Sequence, residues 1–310
     1  MPSTLSCLQY KVIKQQMIRK FSINRPFIQN KHVLIVVIFL FSQQLQAGSD
    51  AFIDFEATLG GDDNVTRAAE DIDIEHDGFL TLAGTGGYEL YQGQSGILTG
   101  KILLEANKFS RFDGLTNYVA AAKLNYTFGF SSSFGAPWFA LDLDYGVAEF
   151  ESFLRDSNVW RAAATMGMQI DDATSLRLGF AYKDRDAESS VFTTRNASFF
   201  INLDWAVVKK HIVYVTYKIE VGDIFSSASN PPLWVIDAST AIVDDDVFID
   251  KKTYRLDGTT QFATLGYNWV QDLHSSFDLS VRFLHSEAAD VDLDYQGLTL
   301  LASYFHRFSL

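Results

Sequence analysis

From Phe139 to Phe150 the sequence reads FALDLDYGVAEF, and every second residue as far as Val147 is large and apolar: Phe139, Leu141, Leu143, Tyr145 and Val147. The residues between them, Ala140, Asp142, Asp144, Gly146 and Ala148, are small or acidic. Successive Cβ atoms of a strand point to opposite sides, so such alternation makes a strand with one apolar and one polar face. WRAAATMGMQI (Trp160 to Ile170) repeats it, setting Trp160, Ala162, Ala164, Met166, Met168 and Ile170 against Arg161, Ala163, Thr165, Gly167 and Gln169. SLRLGFAYKD then opposes Leu176, Leu178, Phe180 and Tyr182 to Arg177, Gly179, Ala181 and Lys183. No helical pattern of useful length competes with this period.

Twelve such segments start near residues 51, 78, 96, 116, 137, 158, 174, 194, 210, 260, 275 and 294. Each strand with its connection takes about 22 residues, which suits roughly 10 residues to cross a bilayer at a tilt, plus a turn. QGQSG, SSSFGA, DDAT, VVKK and QDLH follow the even-numbered segments and are short. The connections after the odd-numbered ones, residues 61–77, 109–115, 150–157, 184–193, 223–259 and 286–293, are longer on the whole. An even strand count, short turns at one end and long loops at the other predict an all-β fold: a transmembrane antiparallel up-and-down β-barrel of about 12 strands, with both termini in the periplasm. A soluble β-sandwich also alternates, but its apolar face points inward and its strands are shorter.

The polar face supports the membrane reading. On the side assigned to the lumen lie Asp54, Glu56, Glu89, Glu105, Asp142, Asp144, Asp204, Glu220 and Asp278, with Lys101, Lys123, Arg161, Arg177, Lys183, Lys218, Arg282 and Arg307. The opposite face is almost free of charge, as lipid contact requires when a Lys or Arg at mid-bilayer costs roughly 2–4 kcal/mol. Trp138, Trp160, Trp205, Trp269, Tyr126 and Phe128 fall near strand ends, where interfacial aromatic girdles are expected.

The first residues point the same way. Every charge up to Ala47 is basic (Lys11, Lys14, Arg19, Lys20, Arg25 and Lys31), and these precede HVLIVVIFLF (His32 to Phe41) and SQQLQAGSD. That order predicts a secretory signal peptide over residues 1–47, with Leu45 and Ala47 at the cleavage site, and Met17 as an alternative start. The apolar run is about half the length of a membrane-spanning helix. The domain expected after it is an outer-membrane barrel over residues 48–310. Removing six of the 25 bases leaves 19 against all 38 acids. A balance so acidic excludes nucleic acid as a partner. The single cysteine, Cys7, precedes the apolar run, so no disulfide or lipid anchor is expected.

The chain stops at ASYFHRFSL, with Tyr304, Phe308 and Leu310 on alternate positions. A closed barrel must pair its last strand with its first, so ending on a strand exposes no edge. The stretch resembles the C-terminal assembly signal of Gram-negative outer-membrane proteins, which usually end in Phe or Trp where this chain has Leu310. The resemblance implies porin-like architecture and recognition by the barrel-assembly machinery through Tyr304, Phe308 and Leu310, with outer-membrane lipid and lipopolysaccharide as surroundings.

Inside such a tube, Asp142, Asp144, Arg161, Arg177, Lys123, Lys101, Glu105, Asp204, Lys218, Glu220, Asp278 and Arg282 are the candidate pore-lining charges. The expected function is a narrow pore for small hydrophilic solutes. The alternative is a closed barrel acting as a surface structural, adhesion or export-accessory protein. Acids crowd the loops, with Asp62, Asp63, Asp71 and Asp73 in the first and Asp244, Asp245 and Asp246 in the fifth, and the loops are expected to be solvated and to give the mouth an acidic character. NPPLWVID (Asn230 to Asp237) is an apolar patch within the fifth loop that is expected to pack on the rim or in the lumen.

Enzymatic readings are weaker. His274 and Ser276 have hydrolase-like spacing but fall at a turn, and neighbouring His285 and Ser286 face opposite ways on a strand. Asp62-Asp63 and His76-Asp77 resemble the paired Asp/Asp and His/Asp of outer-membrane aspartyl-type proteases in residue type only. No cluster has metal-ligand spacing, so neither a metal nor a cofactor is expected.

Overall fold

The computed structural model describes residues 51–93, 96–131 and 133–309. The expected signal peptide, Cys7 and the terminal Leu310 lie outside them. Among the described residues no helix is long and apolar enough to cross a membrane.

Twelve long strands close into an antiparallel barrel. They are β1 (Phe52–Asp62), β2 (Asp77–Gln92), β3 (Gly96–Phe109), β4 (Asn117–Gly129), β5 (Trp138–Phe150), β6 (Ser157–Gln169), β7 (Thr174–Ala187), β8 (Thr194–Val208), β9 (His211–Ala228), β11 (Lys252–Val270), β12 (Ser275–Ala288) and β13 (Asp294–Ser309). A short strand, β10 (Ala241–Asp244), and a six-residue helix, α1 (Leu233–Ala238), lie in the connection between β9 and β11. Long strands pair in sequence order, with β9 skipping β10 to join β11. The seam runs between β1 and β13, from Phe52 opposite Ser309 to Asp62 opposite Thr299. Closure satisfies backbone groups that hydrocarbon cannot, so the apolar faces are free to point outward.

Outward they point. Leu141, Leu143, Phe180, Leu203, Val215, Leu265 and Leu279 are all exposed on the barrel's outer surface. Aromatic side chains edge this band at the end bearing the termini, where Trp269 stacks on Phe277 and Tyr126 stacks on Phe128. At the loop end Trp160 packs against Tyr182, with ring centroids 5.2 Å apart. Trp138 departs from the expected girdle. It has the parity of inward-facing Ala140 and lies over Gly167, where a Cβ would come within 2.2 Å of its ring.

Tight turns at the terminal end follow local chemistry. Lys210 takes a left-handed φ of 70° in the two-residue turn from β8 to β9. Asp171 accepts the Ala173 N–H, and Asp272 accepts those of His274 and Ser275. These backbone donors hold both carboxyls below the usual aspartate value.

One strand boundary differs from expectation by eight residues: β11 begins at Lys252, not near 260. Beyond Gly222 of β9 and the facing Gly258 of β11, the two strands continue to pair out to Ala228 and Lys252. By then β9 has lost its partner β8, which reaches only to Gly222, and β11 has exchanged β12 for β10. Alternation vanishes in this extension because both of its faces are covered. Thr253 is 0% and Tyr254 2% exposed.

Candidate functional site

Parity carries all twelve candidate charges to the inner wall, and several meet there. Arg161 Nη1 lies 3.0 Å from Asp144 Oδ2, Arg177 Nη2 3.1 Å from Asp204 Oδ2, and Lys218 Nζ 3.0 Å from Glu220 Oε1. Arg307 Nε reaches Asp54 Oδ1 at 2.7 Å. Asp142 accepts a hydrogen bond from Asn125, Glu105 one from Asn107, and Asp278 one from the Tyr214 hydroxyl. Lys101 sits 5.8 Å from the centre of the Phe52 ring. Among the described residues Lys123, Lys183 and Arg282 make neither a hydrogen bond nor an ion pair. A further inward base, Arg185, was hidden in a stretch that reads as loop. It donates to Ser157 Oγ and to the Arg155 carbonyl.

This interior is not filled by side chains. The side chains of Arg161, Arg177 and Arg307 point inward yet are 38%, 47% and 45% exposed. A filled barrel core would bury such groups, so the lumen is hollow where they stand.

At the loop end, by contrast, the barrel is strapped. Residues 229–251 meet four of the other five loops directly and reach the β7–β8 loop through Arg155. Lys251 Nζ and Ser229 reach buried Asp73 in the β1–β2 loop, the lysine at 2.8 Å. Phe248 packs edge-on against Phe112 in the β3–β4 loop, with centroids 5.0 Å apart. Asp245 and Asp246 hold Arg155 of the β5–β6 loop at 2.8 and 2.9 Å, and Arg155 also lies over the ring of Phe192 from the β7–β8 loop. Val235 of α1, fully buried, joins Leu293 of the β12–β13 loop in a cluster with inward-facing Ile224, Tyr254, Leu256, Leu284 and Tyr295. The apolar patch of NPPLWVID is thus anchored on the inner face of the mouth through Val235, while Leu233 and Trp234 stay exposed.

This network absorbs acids that composition pictures as solvated. Asp62 pairs with Arg67 at 2.7 Å, Asp63 accepts the Leu298 N–H, and Asp244 pairs with Lys252. Asp245 is fully buried in its ion pair with Arg155 and also accepts from Thr253. Asp71 alone of the seven stays exposed with no bond to its carboxylate. An unpaired buried carboxylate is costly, so Asp73 and Asp245 persist only because cations and donors converge on them.

The weaker enzymatic candidates are spread apart. Asp77 spends its carboxylate on the N–H groups of Ser110, Arg111 and Phe112. Ser286 faces inward, 2.7 Å from Thr260 Oγ1, whereas His285 faces outward with Nδ1 4.0 Å from Asp294. Among the described residues no three His, Cys, Asp or Glu side chains are placed to hold a metal ion.

No protein-family model matches the chain, and no curated protein matches it. Solved structures do. The chain is similar to the COG4313 outer membrane channel from Pseudomonas putida F1, with a TM-score of 0.54 at 9% identity over 85% of this chain and 97% of that one. The KdgM porin in complex with disordered oligogalacturonate gives a TM-score of 0.40 at 9% identity, over 83% and 99% of the two chains. For the outer membrane channel DcaP of Acinetobacter baumannii the values are 0.41, 9%, 85% and 98%. The fold is that of an outer-membrane β-barrel.

Proposed function

We propose that the protein is a narrow outer-membrane channel for small hydrophilic solutes. The observation that carries this reading is a water-accessible, charge-lined lumen inside a barrel whose outer surface is apolar. Strands with so apolar an exterior need hydrocarbon around them, and the residue 1–47 pattern supplies a route of export. In this reading the termini and short turns face the periplasm. The strapped loops face outward as an acidic mouth set in lipopolysaccharide, and the C-terminal sequence signal of Tyr304, Phe308 and Leu310 engages the barrel-assembly machinery. No catalytic role is assigned.

The strap favours a second reading, a closed barrel whose loop surface does the work as a structural, adhesion or export-accessory element. Single-channel recording of residues 48–310, refolded in detergent and inserted in a planar bilayer, separates the two. Reproducible conductance steps are the expected result. A correctly folded barrel that stays silent would replace the channel with the closed form.

A further inference from the structure

We infer that the inner wall formed by β3 to β7 is a track for oxyanions, the carboxylate or phosphate groups of small solutes; this rests on the channel reading above. The strand registers bring five inward charges into one hydrogen-bonded row. Lys101 is opposite Lys123, Lys123 opposite Asp144, Asp144 opposite Arg161, and Arg161 opposite Lys183. Four bases therefore share the row with one acid, and that acid is already bonded to Arg161 at 3.0 Å.

The juxtaposition is costly as it stands. Like charges directly opposite each other on a sheet face have Cβ atoms about 4.5–5.5 Å apart and destabilise the pair. Lys101 and Lys123 are such a pair, and no carboxylate within ion-pairing distance offsets either of them. An anion between them would supply the missing counter-charge. Neighbouring strands stand about 4.8 Å apart, so Lys123 on β4 and Lys183 on β7 are about 14 Å apart along the wall. Lysine ammonium groups are compact, rotatable donors, suited to passing an oxyanion along such steps.

The asymmetry extends to the whole interior. Counting Arg177 and Arg185, β3 to β7 present six inward bases against Glu105, Asp142 and Asp144. The remaining strands reverse the balance, with Lys218, Arg282 and Arg307 facing Asp54, Glu56, Glu89, Asp204, Glu220 and Asp278, and with Asp62 and Asp77 added at the loop end. A field across the lumen thus draws anions to the β3–β7 wall. At the mouth, Asp62, Asp73, Asp244, Asp245 and Asp246 pair with Arg67, Lys251, Lys252 and Arg155, which lessens the negative charge an entering anion meets.

The test is the reversal potential of the refolded barrel in a potassium chloride gradient, for the wild type and for K101Q/K123Q, with heat-modifiable gel mobility confirming that each is folded. Chloride preference is expected in the wild type, falling several-fold in the double variant. Inorganic phosphate added on one side should interrupt the chloride current of the wild type and leave that of the double variant unaffected. Should K101Q/K123Q fail to fold, K183Q takes its place with the same expectations. A folded but silent wild-type barrel overturns the channel reading, and this inference with it. Cation preference, or selectivity and phosphate block unchanged by the substitutions, overturns this inference alone and leaves the channel standing.

Discussion

Asp73 is 4% exposed and keeps its charge because Lys251 Nζ, the Ser229 N–H and the Ser229 hydroxyl all reach one of its oxygens. Burial pushes its carboxyl up, but these hydrogen bonds and the Lys251 charge outweigh burial and hold it below the unperturbed 3.8. A carboxylate whose folded pKa is depressed contributes its stability above the unfolded pKa and loses it as the pH falls through the folded one. The clasp should therefore hold at neutral pH and open only in acid below 3.8. Hydrogen exchange across residues 229–251, followed from neutral pH to about pH 3, should show protection falling at the acid end, whereas Asp73→Asn should already lack it at neutral pH. Protection that survives in the variant would discount the clasp. At this scale parity made the inward charges legible, since one misplaced residue would have thrown Asp142, Asp144, Arg161 and Arg177 into lipid. It fails at Trp138, whose residue type suggests a girdle position but whose parity is inward. It fails also at Arg185, because the charges of DRDAE look like loop until β7 is seen to run to Ala187.

Among the elements, the β9–β11 hairpin is the one that leaves the cylinder, and it does so at a pair of glycines. Gly222 has φ +143°, and a Cβ there would fall 2.0 Å from the Arg195 carbonyl oxygen. Since the obstacle is backbone, no rotamer change relieves it. Gly222→Ala should cost about 1–3 kcal/mol and loosen the strap, read as a lower melting temperature of the refolded barrel and faster proteolysis within residues 229–251. Gly61→Ala, where a Cβ would meet nothing within 4 Å, is the matched control and should melt close to wild type. The start of β11 was illegible for a physical reason. Period two is a signature of one buried and one exposed face, and from Lys252 to Leu256 the strand has β10, α1 and the first loop packed around it. The acids of that loop misled in the same way, because composition reports charge and says nothing of the lysine or arginine that meets it 90 or 178 positions away.

On the scale of the whole molecule, the barrel was legible from its punctuation: twelve alternating runs, and short turns set against long loops. The outer surface bears directly on this. Leu265 is 53% exposed midway along the outward face of β11, flanked by Val215 and Val281 on the neighbouring strands. Leu265→Arg should cost about 2–4 kcal/mol, measured as the free energy of refolding into phospholipid vesicles. A refolding free energy unchanged from wild type would mean that this face does not meet hydrocarbon. The strap that ties four loops directly to one segment also orders events in time. Asp73 follows the first strand, and Lys251 waits until nine long strands have been made. In the closed barrel, with β13 paired to β1, the two halves of the clasp meet. A half-assembled wall would show its acids and apolar mouth residues loose, so a finished rim is the visible sign of a finished barrel, and any quality-control protease that cuts slack chain would read it as such.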